Sequence, residues 1–388
     1  MSDMSGRLSD ALDSDRRREL ENVRAAAERI WSRPLHRTYT DHTVAHSERV
    51  IGLLDGLSAG MMRTDKRLSP TEVFVLLAAA VLHDIGMQDE RYADGNLEDI
   101  RAHHHEQTAE MIFRVFEDPA NAFNIPLSSD PGIVEAVALV AQGHCRVDLQ
   151  DRAYDSFVHG GETVRLRLLA ALLRFADALD LDHRRVDLEL MKLLDLPLES
   201  QLHWWRCHYV SGVSIVDEYI RIAYRLPQER PDYEQLIVPL VETDIRREMA
   251  DLEEIFRANA VKVALGKPQV RFMRAVQPLP PQVEVLAREW VAGGTGSKRQ
   301  EAGGKKQGRR AEDVVAESHP PSRREAPTTI FDMRGQTVGT QTIVAGDYHE
   351  HASLRRPGRR PAAAPGKTVG EADHDAGEER CQELCQQL

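Results

Sequence analysis

Apolar residues recur at helical spacing through most of the first 290 positions. Leu20, Val23, Ala27, Ile30 and Trp31 line one face of a helix that follows a Ser14 cap. Val50, Leu53, Leu54 and Leu57 form a second stripe. Ser69-Pro70-Thr71-Glu72 reads as a capping box with proline at the first helical position. It opens VFVLLAAAVLHDIG, which is apolar on every side and therefore predicts a buried central helix, with Gly86 placed to end it. Further helices are predicted over 100–116, from Asp130-Pro131 to about Gly143, and over 163–180, the last studded with arginine. After Pro197 the run HWWRCHYVSGVSIVDEYIRIAYRLP alternates apolar and polar residues and is rich in Val, Ile and Tyr, which predicts two or three short strands. Helical spacing returns over 236–258, and RFMRAVQPLPP is expected to end the ordered part.

From Gly293 the composition shifts to Gly, Ser, Lys, Arg and Pro, the signature of a flexible linker. An island follows, TTIFDMRGQTVGTQTIVAGDY, with β-branched residues among Gly335, Gly339 and Gly346. The expected fold is mainly α, a helical core with a small α+β appendage and a disordered C-terminal tail. In order, the divisions are an N-terminal helix (1–35), the core (36–195), the appendage (196–290), a disordered linker (291–327), the island (328–350), and a disordered tail (351–388) with a short terminal helix.

A chain of 388 residues with 41% hydrophobic and 29% charged residues can bury a sizeable core. Its net charge of −12 argues against a body built to bind polyanions, and 5% aromatics argue against a base-stacking platform. Basic pairs in the tail, Lys305-Lys306, Arg309-Arg310 and Arg355-Arg356 among them, leave nucleic-acid binding open there, although such runs are more often solvated linkers. The four cysteines (Cys145, Cys207, Cys381 and Cys385) contain no CxxC pair, so neither a zinc ribbon nor a disulfide scaffold is expected. The N-terminus has no apolar run after a basic start, and the longest apolar run is far short of the ~20 residues of a membrane span. A cytoplasmic protein that does not enter the membrane is the expectation.

Polar residues close several of the apolar stripes. His46 opens the stripe of Val50, Leu53 and Leu57; His83-Asp84 ends the buried helix; His104 precedes Thr108, Met111, Ile112 and Val115; His144 follows Ile133, Val137 and Val140; Asp177 follows Leu166, Ala170 and Leu173. Five helices thus each aim an imidazole or a carboxylate inward. A buried carboxylate needs a cation or strong donors, and histidines converging with aspartates make a site for a borderline or hard divalent metal. Taken singly, each has an ordinary reading. His46 could be a satisfied core histidine, and Asp177 could pair with Arg174 or Arg184. His374-Asp375, in the tail, shows that an HD doublet alone means little. His105 cannot be separated from His104 by spacing. His36, His42, His159, His183, His203 and His208 are taken as structural or surface residues.

The segments DHTVAHSERVIGLL, AAAVLHDIGM, HHHEQTAEMI, AQGHC and LRLLAALLRFADALDLDHRRV resemble the HD superfamily of metal-dependent phosphohydrolases, over about residues 35–270. The ladder LLRFADALDLDxxRV is similar to HD domains found in bacterial conflict and signalling operons. The resemblance implies an all-helical catalytic core in which His46, His83, Asp84 and Asp177 match the ligands of a first metal. His104 matches a histidine that is either catalytic or a second-metal ligand, and His144 one found in two-metal branches. The GYP signature of the cyclic-dinucleotide branch is absent, and no helicase motifs follow. The island FDMRGQTVGTQTIVAGD is similar to a short motif of bacterial conflict proteins.

These readings combine into expectations. One or two divalent ions (Mn, Mg, Fe, Co or Ni) would be held by His46, His83, Asp84, His104 or His105, His144 and Asp177. They would activate water against a phosphate ester or phosphodiester of a nucleotide or nucleic acid. Asp84 would orient the attacking water, and His104 would donate a proton if only one ion binds. Arg184 or Arg185 would contact the substrate phosphate, unless they pair with Asp180 or Asp182. The alternative is a non-catalytic sensor or scaffold, betrayed by a missing or diverted ligand. Self-association or partner docking is expected through 328–350.

Overall fold

The computed structural model describes residues 7–32, 42–89, 97–117, 125–127, 130–194 and 196–293, and the strands at 328–331 and 337–341. The chain divides into two units. The first holds ten α-helices, among the described residues: α1 (Ser14–Trp31), α2 (Val44–Ser58), α3 (Pro70–Leu82), α4 (Leu97–Glu117), α5 (Pro131–Gln142), α6 (Leu166–Leu179), α7 (Leu188–Leu193), α8 (Leu198–His208), α9 (Tyr233–Ala258) and α10 (Pro281–Gly293). The mainly α expectation is met, with strands only as a minor component.

Helix α3 is the axis of the core. Every residue from Glu72 to Leu82 is buried, and α1, α2, α5 and α6 pack around it. The stretch Pro70–Gln88 is long and apolar enough to cross a membrane, but 89% of that window is buried inside this fold, as expected of a core helix. Its start follows the predicted capping box. Ser69 Oγ accepts from Glu72 N at 3.2 Å, and Glu72 Oε2 accepts from Ser69 N at 3.0 Å. Glu72 also receives Arg165, with Nε at 2.7 Å and Nη2 at 2.8 Å, so the buried carboxylate is paired bidentately across to the start of α6.

Gly86 has a different role from the one expected. Helix α3 already stops at Leu82, and Gly86 lies in a 3-10 turn, Ile85–Gln88. A Cβ there would collide with the carbonyl oxygen of His104 and come within 2.6 Å of Thr108 N, so the glycine lets α4 approach the HD turn. Ser14 likewise begins α1, and the cap is Asp13, whose side chain accepts from Arg16 N at 2.8 Å.

The appendage corrects two readings. HWWRCH lies in α8 and not in a strand, because Leu202, Trp205 and His208 recur at helical spacing and are buried. Order also continues past RFMRAVQPLPP into α10, so the linker expected from 291 begins no earlier than 294. Strands β1 (Phe157–His159) and β2 (Glu162–Val164) form a hairpin before α6, turned by Gly160 and Gly161 at φ 56° and 84°. A four-stranded sheet follows: β3 (Val210–Val216), β4 (Tyr219–Pro227), β5 (Ala264–Leu265) and β6 (Gln269–Met273). Central β4 is antiparallel to β3 and parallel to β5 and β6. It packs on α9, while β3 meets α2 and α8. Among the described residues beyond Gly293, two short strands pair with each other, β7 (Thr328–Phe331) and β8 (Thr337–Gln341), inside the expected island. The linker, the rest of the island and the terminal tail lie outside the described residues, as does His36.

Candidate metal centre

Three helix C-termini deliver side chains to one place. His83 caps α3, His144 follows Gly143 at the end of α5, and Asp177 stands in the last turn of α6. Each such end carries the partial negative charge of unpaired carbonyls, which favours a cation nearby. Helix α2 adds His46 from its first turn, and α4 adds His104. Gly143 makes the α5 end close. A Cβ on it would lie 2.5 Å from the Ala170 Cβ of α6.

The imidazoles are fixed by their Nδ1 atoms. A carbonyl or carboxylate oxygen only accepts, so each Nδ1 carries the proton. His83 donates to Ala80 O at 2.9 Å, His104 to Arg101 O at 2.8 Å and His144 to Ala141 O at 2.5 Å. His46 donates to Asp180 Oδ2 at 2.6 Å. Four Nε2 lone pairs are thereby aimed inward, and they face one another in pairs. His46 Nε2 is 3.0 Å from His83 Nε2, and His104 Nε2 is 2.9 Å from His144 Nε2. Two opposed lone pairs at this distance repel unless a proton or a metal ion lies between them.

Asp84 stands between the two pairs and turns one oxygen to each. Its Oδ2 is 3.4 Å from His46 Nε2 and 3.2 Å from His83 Nε2. Its Oδ1 is 3.4 Å from His104 Nε2 and 3.5 Å from His144 Nε2. Asp177 joins the first pair, with Oδ1 3.1 Å from His46 Nε2 and 3.8 Å from His83 Nε2. Asp84 Oδ2 is buried without a hydrogen-bond partner. The donor set fits divalent ions. Two nitrogens bound cis to one ion at ~2.1 Å would be about 3.0 Å apart.

The charges report the same need. Burial opposes ionisation of Asp84 and Asp177, yet the surrounding histidines hold both well below the usual carboxylate range. Burial and Arg185 pull His46 down, but the carboxylates of Asp177, Asp180 and Asp84 around it outweigh them and raise it to about 10. Burial likewise lowers His104, while Asp84 and Cys145 bring it up to about 9.

His104, rather than His105, faces Asp84 and His144. His105 sits beside it, with a donor atom grouped with those of His104 and Cys145. Arg184 and Arg185 show the ion-pair alternative. Arg184 grips Asp182 at 2.9 and 2.7 Å, and buried Arg185 donates to Asp180 O at 2.6 Å. Both arginines brace the turn that follows α6. The structural histidines include His159 against Asp130 at 3.5 Å and His183 against Asp182 at 3.3 Å. His42 is less ordinary: its ring is 5.7 Å from that of His46, and burial lowers it to about 3.

Two participants were not expected from the sequence. Asp180 orients His46 and is itself held by Arg49 Nε at 3.0 Å, the outer carboxylate that fixes a ligand's tautomer. Cys145 brings its sulfur to 3.4 Å from His144 Nε2. A cleft of about 580 Å³ adjoins these elements, lined by Arg101, Arg146, His203, Arg206 and Glu248 among others. Arg101 is one turn before His104, and Arg146 is two residues beyond His144.

A family model described as HD-CE matches residues 36–257, more than half of the chain. No curated protein matches it.

Proposed function

The chain belongs to the HD-CE family, and from that premise we propose that it is a metal-dependent phosphohydrolase acting on a nucleotide or another phosphate ester. The observation that carries this reading is the pair of opposed imidazole couples with Asp84 between them. His46, His83, Asp177 and one oxygen of Asp84 would hold a first divalent ion. His104, His144 and the other oxygen would hold a second. Such ions supply an activated water near neutral pH and stabilise charge on phosphoryl oxygens.

The chain's own residues do the rest. Asp180 keeps the His46 proton on Nδ1, so Nε2 stays available. Thr108 Oγ1 donates to His83 O at 2.8 Å and accepts from Gly86 N at 2.9 Å, which fixes the HD turn against α4. Asp84, kept ionised by its histidine neighbours, spans both positions. The arginine-bearing cleft suits an anionic substrate, although Arg146 is engaged by Glu248 at 2.7 Å and Arg206 by Asp244 at 2.7 Å. The competing reading, a sensor or scaffold without catalysis, called for a missing or diverted ligand. The presence of all six side chains supports the enzyme.

The test is metal analysis of the purified protein, followed by a screen of phosphomonoesters and phosphodiesters with Mn²⁺, Mg²⁺, Co²⁺ and Ni²⁺. Hydrolysis that chelator abolishes, and that Asp84→Asn lowers by at least ~10²-fold, is expected. Bound metal with no hydrolysis of any ester class would favour the sensor.

A further inference from the structure

Cys145 is a further donor beside the second imidazole pair, outside the six ligands named above. Its Sγ lies 3.4 Å from His144 Nε2 and 3.7 Å from His104 Nε2, while those nitrogens are 2.9 Å apart. Sulfur and nitrogen on one tetrahedral ion, with bonds of ~2.3 and ~2.1 Å, would be about 3.6 Å apart. The two sulfur–nitrogen edges therefore have the size of ligands on one tetrahedral ion, and the nitrogen–nitrogen edge, about 3.4 Å on such an ion, would have to open by ~0.5 Å. Both imidazoles are pinned through Nδ1, so their lone pairs cannot turn away from the sulfur. The cysteine does not stand alone. Asp84, only 6% exposed at its side chain, turns Oδ1 to the same two nitrogens.

We propose that Cys145 is a thiolate ligand of the ion held by His104 and His144. This rests on the reading that the cluster binds divalent metal, not on which ester is hydrolysed. On binding, the thiol proton and the proton held at His104 Nε2 leave to solvent, and lone pairs of the sulfur and the two Nε2 atoms form the new bonds; no electron is transferred. A thiolate favours borderline ions over hard ones, so this position takes Zn²⁺, Co²⁺ or Fe²⁺ in preference to Mg²⁺. The position formed by His46, His83 and Asp177 has no sulfur among its described donors. The two ions are therefore chemically unequal, and the second sets the metal preference of the pair.

The test needs no substrate. The full chain, freed of metal and titrated with Co²⁺, should develop a near-ultraviolet sulfur-to-cobalt charge-transfer band as the second equivalent binds. Cys145→Ser should lack the band and lose at least ~10-fold in affinity for the second ion, a loss outer partners alone can cause. It should keep the first ion. Cys207→Ser should keep the band. If Cys145→Ser does not fold, the wild-type chain still decides the matter. Alkylation of Cys145, read by peptide mass, should be blocked by Zn²⁺ and not by Mg²⁺. Two bound cobalt ions with no band, a band that survives Cys145→Ser, or alkylation unchanged by Zn²⁺ would overturn the proposal and leave the metal reading standing. A chain that binds no ion would end both.

Discussion

Asp180 separates orienting a ligand from being one. It touches His46 at Nδ1, the nitrogen that faces away from the cluster, and it is braced by Arg49 and Arg185. Asp180→Asn keeps the shape and removes the charge that holds the tautomer. Metal affinity should fall by ~10–100-fold while the helical content stays unchanged. Competition against a chromogenic chelator measures this, and an unaltered affinity would remove Asp180 from the site. The histidines give a second expectation. In the metal-free chain the His46 and His104 pKa values are raised to about 10 and about 9, so both hold protons at pH 7. Metal must displace those protons, so its apparent affinity should rise with pH through neutrality. Calorimetry in two buffers of different ionisation enthalpy should register proton release. The same sign governs stability. A raised folded pKa stabilises fully below the unfolded value of 6.5, and that contribution is lost as pH climbs through about 9 to 10. The metal-free protein should therefore melt lower at pH 10 than at pH 7.

The elements that carry the site were legible where a local rule decides them. The capping box before α3 and the apolar faces of α2, α5 and α6 needed only spacing and end signals. Helix α8 was missed because two adjacent tryptophans followed by Tyr209 and Val210 read as strand-like, whereas the burial of Leu202 and Trp205 set the period. The hairpin before α6 had its signal in plain view, Gly160-Gly161 between FVH and ETV, a two-residue turn of left-handed backbone. Asp180 and Cys145 are a different case. Their roles depend on how helices far apart in sequence rotate against one another, 134 residues apart for Asp180 and His46, and no local pattern encodes that. Two substitutions test the elements. Gly86→Ala must push α4 from the HD turn, since the blocking atoms are backbone, and should cost ~1–3 kcal/mol together with weaker metal binding. Arg165→Ala leaves Glu72, 1% exposed, buried without its cation, and should cost ~3–5 kcal/mol in urea unfolding.

The match to the family ends at residue 257, but the folded unit does not. Beyond that point β6 pairs with β4 from Ala223↔Gln269 to Pro227↔Met273, covering an edge that would otherwise offer unpaired backbone groups. Helix α10 then packs on α8 and α9 with Val283 and Ala287 fully buried. Its docking is polar as well. Arg230 holds Glu284 at 2.8 and 3.0 Å, Tyr233 Oη donates to Glu284 Oε2 at 2.9 Å, and the same hydroxyl accepts from Leu279 N at 3.0 Å. Arg230 keeps the Glu284 carboxyl down at about 2. This depressed pKa contributes stability above the ordinary value of 4.5, and the contribution fades as pH falls toward 2, so Glu284→Gln should flatten the acid limb of the stability curve. A chain ending at Gly293 should melt like the full-length protein, because the helical unit is then complete. If residues 328–350 drive self-association, as expected from the sequence, that shorter chain should also have a smaller mass in solution. A chain ending at Asn259 should instead melt lower, bind a hydrophobic dye and aggregate through the bared edge of β4. Equal melting of the two truncated chains would show that the segment from Ala260 to Gly293 is dispensable, and that the boundary of the family is also the boundary of the fold.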